Sequence, residues 1–225
     1  AEEILEQYDA DRVRYYLTAV APEGKDTSFT WEDFIQRNND ELSDVVGNFA
    51  HRMLTFTAKN FDSKVPLNAS DSLFHSEVMQ VIHEARSQWD SSLGRQKFRE
   101  ALDKVLTLAR HGNRLFDQAE PWKSRKEDLE RCGSDLAVIL EIVYALGVLL
   151  NPFLPATTMK LLSAFAACAP VSRACSQALF PSTCLQASTW QEPSAGRRRM
   201  AMRSVAGSSD EAFQCGRVRW QRCHA

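Results

Sequence analysis

A chain of 225 residues has room for one or two domains. With 27 Lys and Arg against 29 Asp and Glu its formal net charge is −2, so the chain as a whole lacks the basic signature of a polyanion binder, and any nucleic-acid contact must come from a local site. Its apolar share, 44%, is ordinary for a soluble globular protein, and the acidic opening Ala1-Glu2-Glu3, with no starting Met and no charged-then-apolar leader, fits an internal fragment.

Taken in chain order, the body reads as a string of helices. Asp9 is placed to cap a first one over Ala10 to about Val20, with Val13, Tyr16, Leu17 and Val20 on one face. Pro22 and Gly24 end it. Thr30 and Asp33 form a T-x-x-D capping pattern that opens a long helix to about Lys59. Leu42, Val45, Val46, Phe49, Met53 and Phe56 recur along it at helical spacing. Asn60 to Asn68, with Pro66, is a loop. Asp71 or Ser72 starts the next helix, which carries Phe74, Val78, Val81, Ile82 and Ala85 to about Trp89, and Gly94 marks a break. A further helix carries Phe98, Ala101, Leu102, Val105, Leu108, Ala109, Leu115 and Phe116. It stops near Glu120, because a residue before proline is disfavoured in helical geometry.

Lys126 to Leu150 is predicted as one apolar helix. Its run from Leu136 to Leu150 contains Glu141 and falls short of the roughly 18 apolar residues of a membrane span, so it reads as a core helix. Pro152 and Pro155 punctuate, and a short helix covers about Thr157 to Phe165. Short loops between such helices imply an all-α antiparallel bundle. Its expected core includes Val45, Phe49, Leu102, Val105, Leu108, Ile139, Val143 and Leu146.

After about Ala166 helical periodicity is lost, and residues 166–225 are expected to be a poorly ordered or non-homologous tail. Arg197-Arg198-Arg199 could form a basic RNA-binding tail, but these arginines are not interleaved with a recognisable module. Cys132 stands alone in the body, while Cys168, Cys175, Cys184, Cys215 and Cys223 lie near the end. None makes a C-x-x-C pair, so no zinc site is expected, and the thiols read as the unpaired ones of a reducing compartment.

No catalytic constellation stands out. His51, His75, His83, His111 and His224 are scattered, and no P-loop or G-x-G-x-x-G pattern occurs. The binding signals are more specific. Asn48 and Arg52 share a helix face at the edge of the apolar stripe. An amide beside a guanidinium suits a base edge or a phosphate, although by spacing alone polar residues flanking an apolar stripe are usually just its solvated border. Pro121-Trp122 follows a helix and precedes a charged run containing Lys123, Arg125 and Lys126. Trp122 could stack on a base or close the end of the core, and the cations could meet phosphates or solvate a loop.

Six segments, in order, resemble the methionyl-tRNA synthetase family over about Asp9 to Phe165. D-A-D-R-V-R-Y-Y-L (Asp9 to Leu17) is similar to the segment after that family's K-M-S-K-S loop, and P-E-G-K-D-T-S-F-T-W-E-D-F (Pro22 to Phe34) to its linker. R-N-N-D-E-L (Arg37 to Leu42) and G-N-F-A-H-R (Gly47 to Arg52) resemble its anticodon helix. A-R-H-G-N-R-L-F-D-Q-A-E-P-W-K (Ala109 to Lys123) and L-N-P-F-L-P (Leu150 to Pro155) complete the set.

The resemblance implies a bundle of the class I synthetase anticodon-binding type, with residues 1–30 the end of the catalytic domain and linker helix and residues 31–165 the anticodon-binding domain. It implies that Asn48 and Arg52 contact anticodon bases, that Trp122 stacks in the same site and that Pro121 shapes the turn. Asp44 stands where many relatives carry asparagine, and no role is assigned to it. The implied partners are methionine tRNA and the catalytic domain of the same enzyme, with no membrane. ATP belongs to the full enzyme, while this segment holds no cofactor, metal or catalytic residue. The implied location is cytoplasmic, with an organelle also open. Two alternatives remain: a non-catalytic helical interaction domain that has lost RNA binding, and the corresponding domain of a leucine, valine or cysteine synthetase. An accessible Trp122 facing Asn48 and Arg52 in basic surroundings favours the RNA-binding reading.

Overall fold

The computed structural model describes residues 2–24, 26–62, 64 and 71–168. Their helices, in order, are α1 (Glu2–Gln7), α2 (Ala10–Ala19), α3 (Trp31–Arg37), a π-helical segment (Asn38–Gly47), α4 (Asn48–Asn60), α5 (His75–Gly94), α6 (Phe98–Ala119), α7 (Pro121–Glu127), α8 (Leu129–Leu149) and α9 (Pro155–Cys168). No strand occurs among the described residues. The architecture is the antiparallel helical bundle that the apolar stripes require. The tail expected over 166–225 lies outside the described residues, except that α9 runs on to Cys168.

The bundle is built around α8, which packs against α4, α5, α6, α7 and α9. By length and composition α8 could cross a membrane, unlike the shorter apolar run read from sequence. Inside the fold, 83% of its apolar window is buried, which makes it the core helix. An element apolar on all sides needs neighbours on all sides. Seven of the eight expected core residues are at most 1% exposed: Phe49, Leu102, Val105, Leu108, Ile139, Val143 and Leu146. Val45 is only half-buried. It lies in the π-helical segment, where Val46 and Gly47 face inward instead.

Element boundaries follow the capping chemistry. Thr30 Oγ1 accepts the Asp33 backbone N–H at 3.3 Å and opens α3 as expected. The long helix is continuous to Asn60, but its middle closes i→i+5 bonds, the last from Asn48 N–H to the Ser43 carbonyl. The apolar helix starts at Leu129 rather than Lys126, because Asp128 Oδ1 accepts the Arg131 N–H at 3.0 Å. The residues before it form the separate α7, with Pro121 in the first helical position, which proline tolerates. Asp9 makes no side-chain cap, and its carbonyl alone receives the first N–H groups of α2. α5 starts only at His75 and continues past Trp89 to Gly94. Ser72 does not begin it: its hydroxyl donates to the buried Asp135 carboxylate of α8 at 2.6 Å.

The buried face of α2 also differs from the expected one. Asp11, Tyr15, Tyr16 and Ala19 face inward, and Leu17 is exposed. Adjacent tyrosines outweigh single aliphatic residues in buried area. Tyr16 joins Phe29 and Phe34 edge-on at 5.3 Å. Tyr15 donates its hydroxyl to Glu41 Oε2 at 2.7 Å, and burial, reinforced by that carboxylate, pushes its ionisation well up.

Asp11 ties this N-terminal helix to the far end of the chain. One oxygen receives Arg14 Nη1 at 3.2 Å, and the other accepts the Thr157 N–H at 2.6 Å. Thr157 lies in the first turn of α9, whose N–H groups have no partner within their own helix. Asp11 therefore caps a helix 146 positions away in sequence. Asp11→Ala should lower stability by about 1–2 kcal/mol, the usual cost of losing a cap, seen as a lower urea midpoint at unchanged slope. An unchanged midpoint would show that solvent replaces the carboxylate without cost.

Candidate nucleic-acid interface

Three elements meet where α4, α6 and α7 come together. α4 supplies Asn48, exposed, and Arg52, half-buried, one turn apart on the same face. α6 supplies Phe116, almost fully buried, and Asp117, exposed. The Arg52 guanidinium lies over the Phe116 ring, 4.5 Å from its centroid. Its Nη2 also donates to Asp117 Oδ1 at 2.6 Å. Stacking and ion pair together hold a long side chain in one place.

The same ring is shared further. Phe56 meets Phe116 edge-on at 6.2 Å, and Trp122 meets it at 6.1 Å with a 58° tilt. Trp122 remains 43% exposed, so it does not close the core. One aromatic ring therefore links the guanidinium of α4 to the indole of α7. Asn48 shares the surface of α4 with Arg52, but it is not among the contacts that join Arg52 to Trp122.

The path of the chain explains why the indole faces outward. α6 ends at Ala119, and Glu120 takes left-handed dihedrals, φ 39° and ψ 55°. Pro121 then restarts the chain as α7 and is itself buried, so it contributes shape and no binding surface. The Cys132 thiol of α8 lies against its carbonyl at 3.6 Å. Burial pushes that thiol's ionisation up, which makes it a poor nucleophile. Around the indole, Lys123 pairs with Glu120 at 2.7 Å, and Arg125 donates to the Asn60 side chain of α4. The surroundings are mixed in charge, with Lys126 also exposed.

Sequence reasoning singled out Arg52, Pro121 and Trp122, which this region holds together, and Asn48 beside them. It missed Phe116 as the shared platform, counting it only as core, and missed Asp117 altogether. Both lie inside the Ala109 to Lys123 segment that carried the resemblance, but a contact between helices 65 positions apart has no local signature. Among the described residues, no group of three or more His, Cys, Asp and Glu is placed to hold a metal ion. The arrangement offers a stacking face, directional donors and an acceptor, the chemistry of recognition rather than of bond making.

A non-glycine residue in the left-handed region costs about 1–2 kcal/mol. Glu120→Gly removes that cost, offset in part by glycine's freedom in the unfolded chain, and should raise stability by about 0.5–1 kcal/mol. A lower urea midpoint would mean that the exposed Lys123 pair outweighs the backbone, contrary to the small value of such pairs.

A family model described as the anticodon binding domain of methionyl tRNA ligase matches residues 65–180, and one for class I tRNA synthetases (M) matches residues 1–54. The methionine–tRNA ligase of Pyrococcus abyssi is 42% identical over 159 residues, covering 71% of this chain and 22% of the relative. That of Bacteroides fragilis is 40% identical over 151 residues, covering 67% of this chain and 22% of the relative. The chain thus spans about 22% of the length of these curated relatives. In structure it is similar to methionyl-tRNA synthetase of Mycobacterium tuberculosis, with a TM-score of 0.68 at 27% identity over 72% of this chain and 34% of that one. The chain belongs to the methionyl-tRNA synthetase family, and its part from residue 65 onward corresponds to that family's anticodon-binding domain.

Proposed function

We propose that this chain recognises the anticodon of methionine tRNA as part of an enzyme that joins methionine to that tRNA using ATP. The observation that carries the reading is the accessible indole of Trp122, coupled through Phe116 to a guanidinium held at the surface. Loop bases that are splayed out can be read by stacking and by hydrogen bonds to their edges. Trp122 supplies the stacking face. Arg52, with donors left over after Asp117 takes one nitrogen, and Asn48, with donors and an acceptor, supply the directional bonds. Pro121 sets the turn that presents the indole.

The rest of the reading follows the family. We take residues 1–30 as the end of the catalytic domain with its linker helix and residues 31–165 as the anticodon-binding domain, although the class I synthetase match runs on to residue 54 and the anticodon-domain match begins at 65. The partners are the tRNA and the catalytic domain of the same enzyme, which holds ATP. The segment positions RNA and does not itself form an adenylate, and it works in the cytoplasm. Of the two signs that favour RNA binding, the accessible indole is present, whereas the surroundings of Trp122 are mixed in charge rather than basic, so the reading rests on the indole and on base contacts.

Binding titrations at fixed salt, since salt shifts the non-specific term, test the reading. Trp122→Ala should weaken binding of methionine tRNA by about 1–3 kcal/mol, the usual value of one base stack. Arg52→Ala should weaken it too and narrow the gap between that tRNA and one with another anticodon. Unchanged affinities in folded Trp122→Ala protein would remove the site from this surface and favour a helical interaction domain without RNA binding.

A further inference from the structure

The surface just described is assembled from helices that are not neighbours in sequence. Arg52 comes from α4, its two partners Phe116 and Asp117 from α6, and α5 intervenes. An axial slip of one turn between α4 and α6 moves side chains by about 5.4 Å. That displacement undoes both the stack and the ion pair. Apolar stripes alone resist such a slip weakly, because their residues recur every turn. A directional contact adds to that resistance, and α6 carries one, to the π-helical segment that runs straight into α4, a single turn before Phe116 and Asp117.

Asn113 Nδ2 donates across the helix boundary to the Val45 carbonyl at 2.9 Å and, within α6, to the Ala109 carbonyl at 3.1 Å. Val45 stands three residues before Asn48, and Asn113 three before Phe116 and four before Asp117. The residue beside it makes the reach possible. A Cβ on Gly112 would lie 2.5 Å from Phe49 Cζ and 3.1 Å from Ile142 Cγ2, so only glycine lets α4 come this close. Phe49 is fully buried and follows Asn48 directly. Cross-links 45–113 and 52–117 advance together along both helices, so the first sets the register in which the second forms.

We propose that Asn113, seated by Gly112, is a positioning residue of the anticodon site. Its amide pins α6 against the Val45 carbonyl, and Arg52 thereby meets Phe116 and Asp117 in a geometry that discriminates between anticodons. The proposal rests on the anticodon reading of Arg52 and Trp122 given above. Asn113 touches no RNA in it and acts through Arg52.

Two measurements on the full chain test this. The first needs no RNA: the side-chain Nε–H resonance of Arg52, assigned from Arg52→Lys, carries the ring current of Phe116. Asn113→Ala should move it toward the position it takes in Phe116→Leu. The second is a binding cycle with methionine tRNA and a tRNA of another anticodon. Asn113→Ala should shrink the ratio of the two affinities about fivefold, the fold-change of one typical net hydrogen bond, and should add little once Arg52 is already alanine. Ser92→Ala, which removes a part-buried bond to Glu100 at the opposite end of α6 from Phe116, should destabilise the bundle without moving either readout. Asn113→Ser, whose shorter hydroxyl can still donate to the Ala109 carbonyl of its own helix but not across to Val45, serves if the alanine variant does not fold. An unmoved resonance with an unchanged affinity ratio overturns the proposal, as do losses that simply add with Arg52→Ala. A moved resonance, with Arg52→Ala and Trp122→Ala both binding like the unaltered protein, overturns the anticodon reading itself and the proposal with it.

Discussion

The ring of Phe116 is where the bundle becomes a surface. Its buried side belongs to the core, with Phe56 edge-on against it. Its open side carries Arg52, and its rim meets Trp122. A cation over an aromatic face is worth about 0.5–1 kcal/mol where exposed, and a partly exposed ion pair such as Arg52–Asp117 contributes no more. These contacts therefore add little to stability. They order a flexible side chain before any ligand arrives, and immobilising such a side chain on binding otherwise costs about 0.5–1.5 kcal/mol.

Backbone geometry does the same for the indole. Had α6 simply continued, the residues of α7 would lie along the axis of α6. The left-handed turn at Glu120 and the buried Pro121 redirect the chain so that Trp122 lies beside Phe116 and stays partly exposed. Unfavourable dihedrals persist only where surrounding packing holds them. Here Pro121 is buried below the turn, and α7 packs onto α8 just beyond it. Stability is thus drawn from α8 and its neighbours, while the site occupies the rim.

How much of this was legible in the sequence follows from the range of the interactions. Helical periodicity is local, so the stripes of α4, α6 and α8 and their buried residues could be read directly. Caps are local too: Thr30 was recognised by its spacing to Asp33, while Asp128 was overlooked because the charged run around it masks the start of the apolar stripe. The π-helical segment was invisible, since its residues are ordinary helix formers and only its bonding differs. Val45 was misplaced for that reason. On α2 a count of aliphatic positions missed the two tyrosines that decide its face. At the site, Arg52 and Trp122 could be named only through the family resemblance, because by spacing alone they read as the solvated border of a stripe and the closing residue of a core. Asp117 could not, because a carboxylate on a charged surface looks the same whether or not an arginine from another helix reaches it.

The balance of charge adds the last constraint. A chain with net charge −2 has no overall field to draw RNA in. Near the indole, Arg52 is paired with Asp117 and Lys123 with Glu120, while Arg125 bonds the neutral Asn60 amide and Lys126 is exposed, so the local field is reduced but stays partly positive. Phosphate contacts raise affinity for every sequence alike, whereas base contacts separate one sequence from another. On the anticodon reading, pairing two of these cations beside an accessible indole shifts the balance toward the second kind of contact. Asp117 belongs to that balance. Its carboxylate holds the guanidinium in place and repels phosphate, so a base edge that donates and accepts hydrogen bonds is a better partner for this corner than the sugar–phosphate chain. A site of this kind gains selectivity by forgoing non-specific attraction.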